Sequence, residues 1–436
     1  MPNIIGIRRE DKNQWERRVS LTPDDVAALI QSLDAEFVVQ PSPIRIFTDQ
    51  AYADAGARLS EDLSSCNIVM GVKEMPSEVF LSGKTYIFFS HTIKGQSYNM
   101  PMLRKLLQQK CTLIDYEKIE DEQKRRLVFF GIHAGYAGMI DGLWMLGQRL
   151  KTEGFSTPFE QIRQAKEYPS LEEAKKAIAA VGQECLATPL PPALTPMVFG
   201  FAGYGHVSAG AQEVFDVLPH KVITPSDLLS YGKSGFPDST LFYKVIFKEE
   251  HLVAPLEPDH PFELQEYYDH PERFKGMFHQ YLPHLTLLIN CIFWTPSYPR
   301  LITRQQVRDL YASGQPKFRG VSDISCDPNG SIEFNLHCTD SGNPVYVYLT
   351  DEDRVIDGFE GNGPAVLAID NLPCELPFEA STYFSSVLRD FMPSLIACDF
   401  TKPAESLGLP DPLMRALIVH RGEFTAPFRY MKTFIE

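Results

Sequence analysis

Short apolar runs recur along the first 130 residues, separated by longer polar and amphipathic stretches. The runs cover residues 4–8, 36–40, 67–71, 85–90 and 111–115, and their length predicts buried strands. The segments between most of these runs are long enough to form helices. Alternation of strands and helices predicts a mostly parallel sheet with helices on both faces.

A second series of apolar runs begins after a proline-rich stretch at residues 187–196, which we interpret as a linker. It predicts strands at residues 197–201, 221–224, 242–247, 285–290 and 366–370, with a helix at residues 207–218. The last 60 or so residues predict helices. The fold class is therefore α/β.

Between the two series, glycine and alanine recur every three to five residues from Gly135 to Gly147. Small residues at this spacing let a helix pack closely on a neighbouring backbone. Such a helix could link two domains or lie in the core of one. Both interpretations stay open at this point.

The chain has 436 residues, 22% charged residues and a formal net charge of −15. Nucleic acids and anionic membranes select for basic surfaces, so neither is expected as the main partner. The eight cysteines include no C-x-x-C pair and no zinc-type spacing, and we expect free thiols, no metal site and a reducing compartment. Residues 1–8 predict a strand and not a signal peptide, so we expect a cytoplasmic protein.

Lys73 and His91 each follow an apolar run, and these runs are neighbours in the sequence. In an α/β sheet, ligands bind outside the carboxyl ends of the strands. The two side chains are therefore a candidate acid–base pair, provided that burial or a nearby cation lowers the lysine pKa. The alternative is a solvated lysine and a histidine buried in the core.

The apolar run at residues 197–201 leads into a glycine-rich turn and then a helix. This context is typical of a dinucleotide-binding loop, in which glycines let the backbone approach a pyrophosphate at the helix N-terminus. The predicted cofactor-binding residues are Gly203, Tyr204, Gly205, His206 and Val207, together with Thr224 after the next strand. An ordinary strand–turn–helix with no ligand is the alternative.

The acidic residue that usually follows the next strand, and that binds the ribose 2′-hydroxyl, is replaced by Thr224, with Asp227 three positions later. A carboxylate at this position would repel the 2′-phosphate of NADP(H), so its absence favours NADP(H) over NAD(H). Lys221 or Lys233 could pair with that phosphate, although each is more typical of an ordinary surface lysine.

Several strings of residues resemble the lysine–ketoglutarate reductase family, which is the lysine-forming saccharopine dehydrogenase half of aminoadipic semialdehyde synthase. The wider group includes alanine dehydrogenase and the first domain of transhydrogenase. The resemblance runs nearly end to end. Its strings lie at residues 8–11, 15–18, 21–23, 71–73, 88–94, 113–118, 203–208, 269–273, 323–325, 330–334 and 369–373.

The resemblance implies that lysine and 2-oxoglutarate condense to an imine, which NAD(P)H reduces to saccharopine, and that the reaction also runs in reverse. Lys73 and His91 match the acid–base pair of the family. Matching residues near the substrates are Arg18 and Lys94 for carboxylates, Glu74 and Glu117 as acids that tune the pair, and Asp323 on the substrate side.

The resemblance also implies two Rossmann-like, doubly wound domains with a cleft between them. Residues 1–135 with 375–436 would form the substrate domain, and residues 136–374 the dinucleotide-binding domain. Because the sequence ends at Glu436, we expect a separate enzyme to oxidise saccharopine. Two alternatives stay open: an amino-acid dehydrogenase of the alanine type, and a nucleotide-binding regulator without catalysis. Another amine donor, such as ornithine, is also compatible with the sequence, which does not indicate an oligomeric state.

Overall fold

The computed structural model describes residues 3–188, 190–238, 240–314 and 316–435. The chain divides into two compact units. Unit 1 contains residues 1–130 and 377–436, and unit 2 contains residues 131–376. The boundaries predicted from the sequence, after residues 135 and 374, lie within five residues of these divisions.

The strands, in chain order, are β1 (Ile5–Ile7), β2 (Phe37–Val39), β3 (Arg58–Leu59), β4 (Ile68–Met70), β5 (Thr85–Phe88), β6 (Thr112–Asp115), β7 (Val198–Ala202), β8 (His220–Ile223), β9 (Phe242–Phe247), β10 (Val253–Pro255), β11 (Phe274–Gly276), β12 (Leu287–Asn290), β13 (Gly320–Asp323), β14 (Val345–Leu349), β15 (Arg354–Asp357), β16 (Ala365–Leu367), β17 (Leu417–His420) and β18 (Glu423–Phe424). The α-helices are α1 (Pro23–Leu33), α2 (Asp49–Asp54), α3 (Met100–Gln108), α4 (Gly131–Thr152), α5 (Leu171–Ala187), α6 (His206–Phe215), α7 (Pro225–Ser234), α8 (Glu249–Leu252), α9 (Leu264–Asp269), α10 (Arg304–Ala312), α11 (Pro377–Arg389), α12 (Met392–Ala397), α13 (Asp411–Ala416) and α14 (Lys432–Ile435).

The sheet of unit 1 has the strand order β18-β17-β6-β5-β4-β1-β2-β3. Strands β1 to β6 pair in parallel, and β17 and β18 add to the β6 edge in antiparallel fashion. The expectation that the last 60 residues are helical is therefore wrong in part. The apolar run Leu417–His420 forms a buried strand between β6 and the edge strand β18, because β6 offers unpaired backbone groups on that side.

Local sequence sets the helix starts in unit 1 as expected from capping rules. Thr22 accepts a hydrogen bond from the backbone N–H of Asp25 at 3.3 Å, and Pro23 occupies the first position of α1. The parallel strands are apolar on both faces, as a sheet covered on both sides requires. Their carboxyl ends therefore meet at one edge, where ligands bind in such sheets.

The sheet of unit 2 has the order β15-β14-β16-β13-β12-β7-β9-β8. Its central strands are parallel, and β14 joins β15 and β16 in antiparallel fashion. Strand β9 lies between β7 and β8, although β8 precedes it in the sequence. The predicted α/β class, with two mostly parallel sheets and covering helices, is confirmed.

The glycine-rich helix α4 lies in the core of unit 2 and packs directly on α6. A Cβ atom built on Gly135 would lie 2.0 Å from the carbonyl oxygen of Val207, and one on Gly210 would lie 2.2 Å from that of Ile132. The two helix backbones can approach this closely only because both residues are glycine. The core interpretation of the small-residue pattern therefore describes this helix.

Across the described ranges, no helix is both long and apolar enough to span a membrane. The same part of the chain contains no cluster of three or more metal-ligating side chains. All eight cysteines are free, and five of them are buried.

Candidate active site

Lys73 follows β4, on a turn that Glu10 holds in place. The Glu10 carboxyl accepts hydrogen bonds from the backbone N–H of Val72 at 2.7 Å (Oε1) and of Lys73 at 2.9 Å (Oε2). Burial, with the nearby charge of Glu16, raises the pKa of Glu10 from 4.5 to about 7. Glu10 thus fixes the backbone from which the Lys73 side chain projects.

The Lys73 ammonium is half-buried, and no described residue accepts a hydrogen bond from it. Burial lowers the pKa of Lys73, and the positive charges of Lys12 and Arg18 lower it further against the opposing effect of Glu74. A lysine with a lowered pKa is suited to act as a base near neutral pH.

The Glu74 carboxylate pairs with both His91 and Lys12. The Nδ1 atom of His91 lies 2.7 Å from Oε1 of Glu74, and Nζ of Lys12 lies 3.1 Å from Oε2. Although burial opposes it, the hydrogen bond from His91 and the charge of Lys73 hold the pKa of Glu74 well below its usual range. Glu74 therefore stays ionised and orients the imidazole, so that Nε2 is the nitrogen available to a ligand.

The turn that carries His91 is held by buried polar groups. His91 has a φ of 47°, in the left-handed region, which is uncommon for a residue other than glycine. The Asn99 amide donates to the carbonyl oxygens of Ser90 and His91, each at 3.1 Å. The Ser90 hydroxyl donates to Asp115, the last residue of β6, and burial raises the pKa of Asp115 to about 6.

Arg18 is buried in an ion pair with Glu16. Its Nε and Nη2 atoms lie 2.7 and 2.6 Å from the two carboxylate oxygens of Glu16. The guanidinium also lies 4.3 Å from the centre of the Phe130 ring. Any substrate carboxylate bound by Arg18 would have to share it with Glu16.

Glu117 and Lys94 lie on turns after β6 and β5. Glu117 is buried and pairs with Arg126 through Oε1, while its Oε2 is buried and accepts no hydrogen bond from the described residues. Lys94 is exposed, and its backbone N–H donates a hydrogen bond to the side-chain oxygen of Gln96. Lys73, Glu74 and His91 thus form one cluster, Arg18 lies within electrostatic range of Lys73, and Lys94 stays solvated.

In unit 2, β7 ends at Ala202 and α6 begins at His206, with the glycine turn between them. Gly203 has a φ of +95°, and a Cβ atom there would lie 3.3 Å from the carbonyl oxygen of Cys291. Gly205 caps α6 without a side-chain hydrogen bond, and a Cβ atom built on it would meet no atom within 4 Å. The space beside Gly205, at the start of α6, is therefore open, which suits a pyrophosphate.

Thr224 lies at the end of the edge strand β8, where it begins helix α7. Its hydroxyl accepts a hydrogen bond from the backbone N–H of Asp227 at 3.0 Å and donates to the Asp227 carboxylate at 2.7 Å. The Asp227 carboxylate also accepts a hydrogen bond from the backbone N–H of Thr224 at 3.0 Å, so the two residues form a capping box. Lys221 and Lys233 are exposed.

Asp323 ends β13 and is almost fully buried in a polar network. Its two carboxylate oxygens accept hydrogen bonds from the amides of Asn290 and Asn335, each at 2.7 Å. Burial raises the pKa of Asp323 to about 6. Each carboxylate oxygen thus accepts one hydrogen bond within unit 2, and the substrate-side role of Asp323 stays a prediction.

Residues 6–137 match the family model "Alanine dehydrogenase/PNT, N-terminal domain". The alpha-aminoadipic semialdehyde synthase of Arabidopsis thaliana is 38% identical over 98% of this chain and 41% of its own length. The mitochondrial enzyme of Bos taurus is 37% identical over 99% of this chain and 48% of its own length. The predicted family resemblance is confirmed. The chain spans somewhat less than half the length of these curated relatives.

A full-length relative also matches. Saccharopine dehydrogenase [NAD(+), L-lysine-forming] of Yarrowia lipolytica is 28% identical, over 91% of this chain and 92% of its own length. Among solved structures, an L-alanine dehydrogenase aligns with a TM-score of 0.63 over 99% of this chain and 100% of its own, at 18% identity. At that identity the likeness shows the fold alone.

Residues that the sequence did not single out hold the site together. Glu10 fixes the Lys73 turn, Glu16 pairs with Arg18, and Lys12 pairs with Glu74. Glu10 and Glu16 fall within two of the strings that carry the family resemblance, at residues 8–11 and 15–18. A search of those two strings for acidic residues would therefore have found Glu10 and Glu16, although it would not have shown which groups they contact.

Proposed function

We propose that this chain catalyses the NAD(P)H-dependent condensation of L-lysine with 2-oxoglutarate to saccharopine, and its reverse, in lysine degradation. The observation that carries the proposal is the cluster of Lys73, Glu74 and His91 at neighbouring strand ends. The relatives whose names include saccharopine dehydrogenase and aminoadipic semialdehyde synthase support the same reaction.

The chemistry requires proton transfers that this cluster can supply. The neutral Lys73 amine takes a proton from the substrate ε-ammonium, and the free amine so formed attacks the ketone carbon. His91 Nε2 moves one proton from the new C–N nitrogen to the oxygen, which gives the neutral carbinolamine. The protonated Lys73 then returns its proton to the carbinolamine hydroxyl, which leaves as water while the nitrogen lone pair forms the protonated imine. Glu74 holds the imidazole in place during both transfers.

A dinucleotide would bind at the Gly203–Gly205 turn of unit 2, where the open space at the start of α6 fits its pyrophosphate. When bound, the reduced nicotinamide supplies the hydride for the imine carbon. The two substrates bring three carboxylates between them, and Arg18 and Lys94 are the proposed groups that bind them. Glu117, whose buried Oε2 accepts no hydrogen bond from the described residues, is the proposed acceptor for a substrate amine.

The proposal is tested by measuring the oxidation of NADH and of NADPH when lysine and 2-oxoglutarate are supplied together and singly. Oxidation only with both substrates would support imine reduction. Oxidation with pyruvate and ammonia instead would favour the alanine type of dehydrogenase, and no oxidation with any pair would favour a regulator.

A variant assigns the role of Lys73. Lys73→Met should lower turnover by about a hundredfold or more, because the base is lost while the apolar stem is kept. Lys110→Met, which changes an exposed lysine of the same unit, is the matched control and should keep full turnover. Equal turnover of the two variants, with both folded, would remove Lys73 from the mechanism.

A further inference from the structure

The strand beside the glycine loop is β9, although β8 follows β7 in the sequence. Ala202 at the end of β7 pairs with Phe247 at the end of β9, and the backbone N–H of Gly203 donates to the carbonyl oxygen of Phe247 at 3.0 Å. Strand β8 pairs with the far side of β9. Two strand spacings, about 10 Å, therefore separate the end of β8 from that of β7.

This order changes which residue can meet the adenosine ribose. In a dinucleotide-binding sheet, the acid that binds the ribose follows the strand next to the glycine-loop strand. In most chains that strand is also the next in sequence, and the expectation for Thr224 depended on it. Here the adjacent strand ends at Phe247, and the residues that follow are Lys248 and Glu249.

Glu249 is half-buried and lies beside the glycine loop. Its Oε1 atom accepts a hydrogen bond from the Tyr268 hydroxyl at 2.9 Å, and the hydroxyl of Tyr204, in the loop itself, lies 3.5 Å from the same oxygen. Within the described part of the chain, Oε2 takes no hydrogen bond. The carboxylate is thus oriented by two tyrosines with one oxygen left to accept.

We propose that Glu249 binds the adenosine ribose hydroxyls and selects NAD(H) over NADP(H), an inference that rests on the proposed use of a dinucleotide by this chain. A carboxylate accepts hydrogen bonds from the 2′- and 3′-hydroxyls, whereas it repels a 2′-phosphate. The competing group is Lys248, which is exposed and whose ammonium lies 5.8 Å from the Tyr204 ring centre. If Lys248 faced the ribose instead, it would favour NADP(H).

The experiment is a titration of the whole protein with NADH and with NADPH, without substrates, followed by nicotinamide fluorescence. The wild-type protein should bind NADH about tenfold or more tightly than NADPH. Glu249→Gln should weaken NADH binding about tenfold and bring the two affinities close together. Glu250→Gln removes the neighbouring exposed charge and is the matched control, with both affinities unchanged.

Three results would overturn the inference. If the wild-type protein binds NADPH more tightly than NADH, and Lys248→Gln removes this preference, the ribose site belongs to Lys248. If Thr224→Val shifts the ratio of the NADH and NADPH affinities and Glu249→Gln does not, the ribose site lies at the end of β8. If the wild-type protein binds neither dinucleotide, the proposed function fails as well, whereas in the first two cases only the assignment of Glu249 fails.

Discussion

Glu10 offers a quantitative test of how the Lys73 turn is held. The change is Glu10→Gln, which keeps the size of the side chain but replaces one acceptor oxygen with an NH₂ group. That group would face a backbone N–H of Val72 or Lys73. Two donors would then oppose each other in a buried site, so we expect the variant to lose about 1–3 kcal/mol at pH 5.

The pH dependence is the more specific part of this prediction. Glu10 has a pKa of about 7 in the folded chain against 4.5 unperturbed. The difference of about 2.5 pH units corresponds to about 3 kcal/mol. Below pH 4.5 the carboxyl is protonated in both states. Between pH 4.5 and 7 only the unfolded chain releases the proton, so the free energy of unfolding falls by this amount and is constant above pH 7.

Glutamine does not titrate, so the variant lacks this contribution. The two free energies of unfolding should therefore differ by about 1–3 kcal/mol at pH 5 and converge or cross by pH 8. Other buried carboxyls, such as Asp115 and Asp323, contribute to both proteins alike. The difference between the two curves isolates Glu10.

The assay is urea unfolding at steps from pH 5 to pH 8, followed by tryptophan fluorescence. Because the chain has two units, the signal must come from unit 1. Trp15 lies there, and replacing Trp144 and Trp294 with Phe would leave it as the single reporter. Glu61→Gln, at an exposed site, is the control and should follow the wild-type curve. Parallel curves for the wild-type protein and Glu10→Gln would refute the reasoning.

Two further predictions concern unit 2. Gly205→Ala should leave the melting temperature unchanged, because Gly205 has a φ of −78° and open space around its Cβ position. The same change should weaken NADH binding about tenfold or more in the same titration. An unchanged affinity would exclude the pyrophosphate from this turn. Burial raises the pKa of both Asp141 and Glu375, whose carboxyls lie together, so the wild-type melting temperature should fall as the pH rises and the pair ionises. The fall should be smaller in Asp141→Asn over pH 5–9, and an equal fall in both proteins would contradict a shared buried pair.

Local patterns were sufficient to predict much of the fold. The apolar runs predicted β1, β2 and β4–β6 in unit 1, because strands buried on both faces are continuously apolar. The glycine turn between β7 and α6 was predicted for the same kind of reason, since its φ at Gly203 is one that glycine adopts without strain. Lys73 and His91 were expected at neighbouring strand ends, and β4 and β5 are paired.

The order of strands in unit 2 could not be predicted in this way. Nothing in residues 220–247 indicates locally that β9 will pair with β7 and leave β8 at the edge, because pairing depends on contacts between distant parts of the chain. The same holds for β17, which pairs with β6 across some 300 residues of sequence. Glu10 accepts hydrogen bonds from residues 62 and 63 positions away, and no local pattern indicates such a contact.

The charge balance around Lys73 bears on how one group could act first as a base and then as an acid. Glu74 already pairs with His91 and with Lys12, and Glu16 pairs with Arg18. No described residue accepts a hydrogen bond from the Lys73 ammonium. Burial lowers the pKa of Lys73 because it removes water, and the nearby negative charge of Glu74 compensates only in part. A bound dicarboxylate would bring negative charge close to Lys73 and raise that pKa again. Lys73 would then hold the proton it takes from the substrate amine until the carbinolamine hydroxyl needs it, so the substrate itself would set the direction of proton transfer.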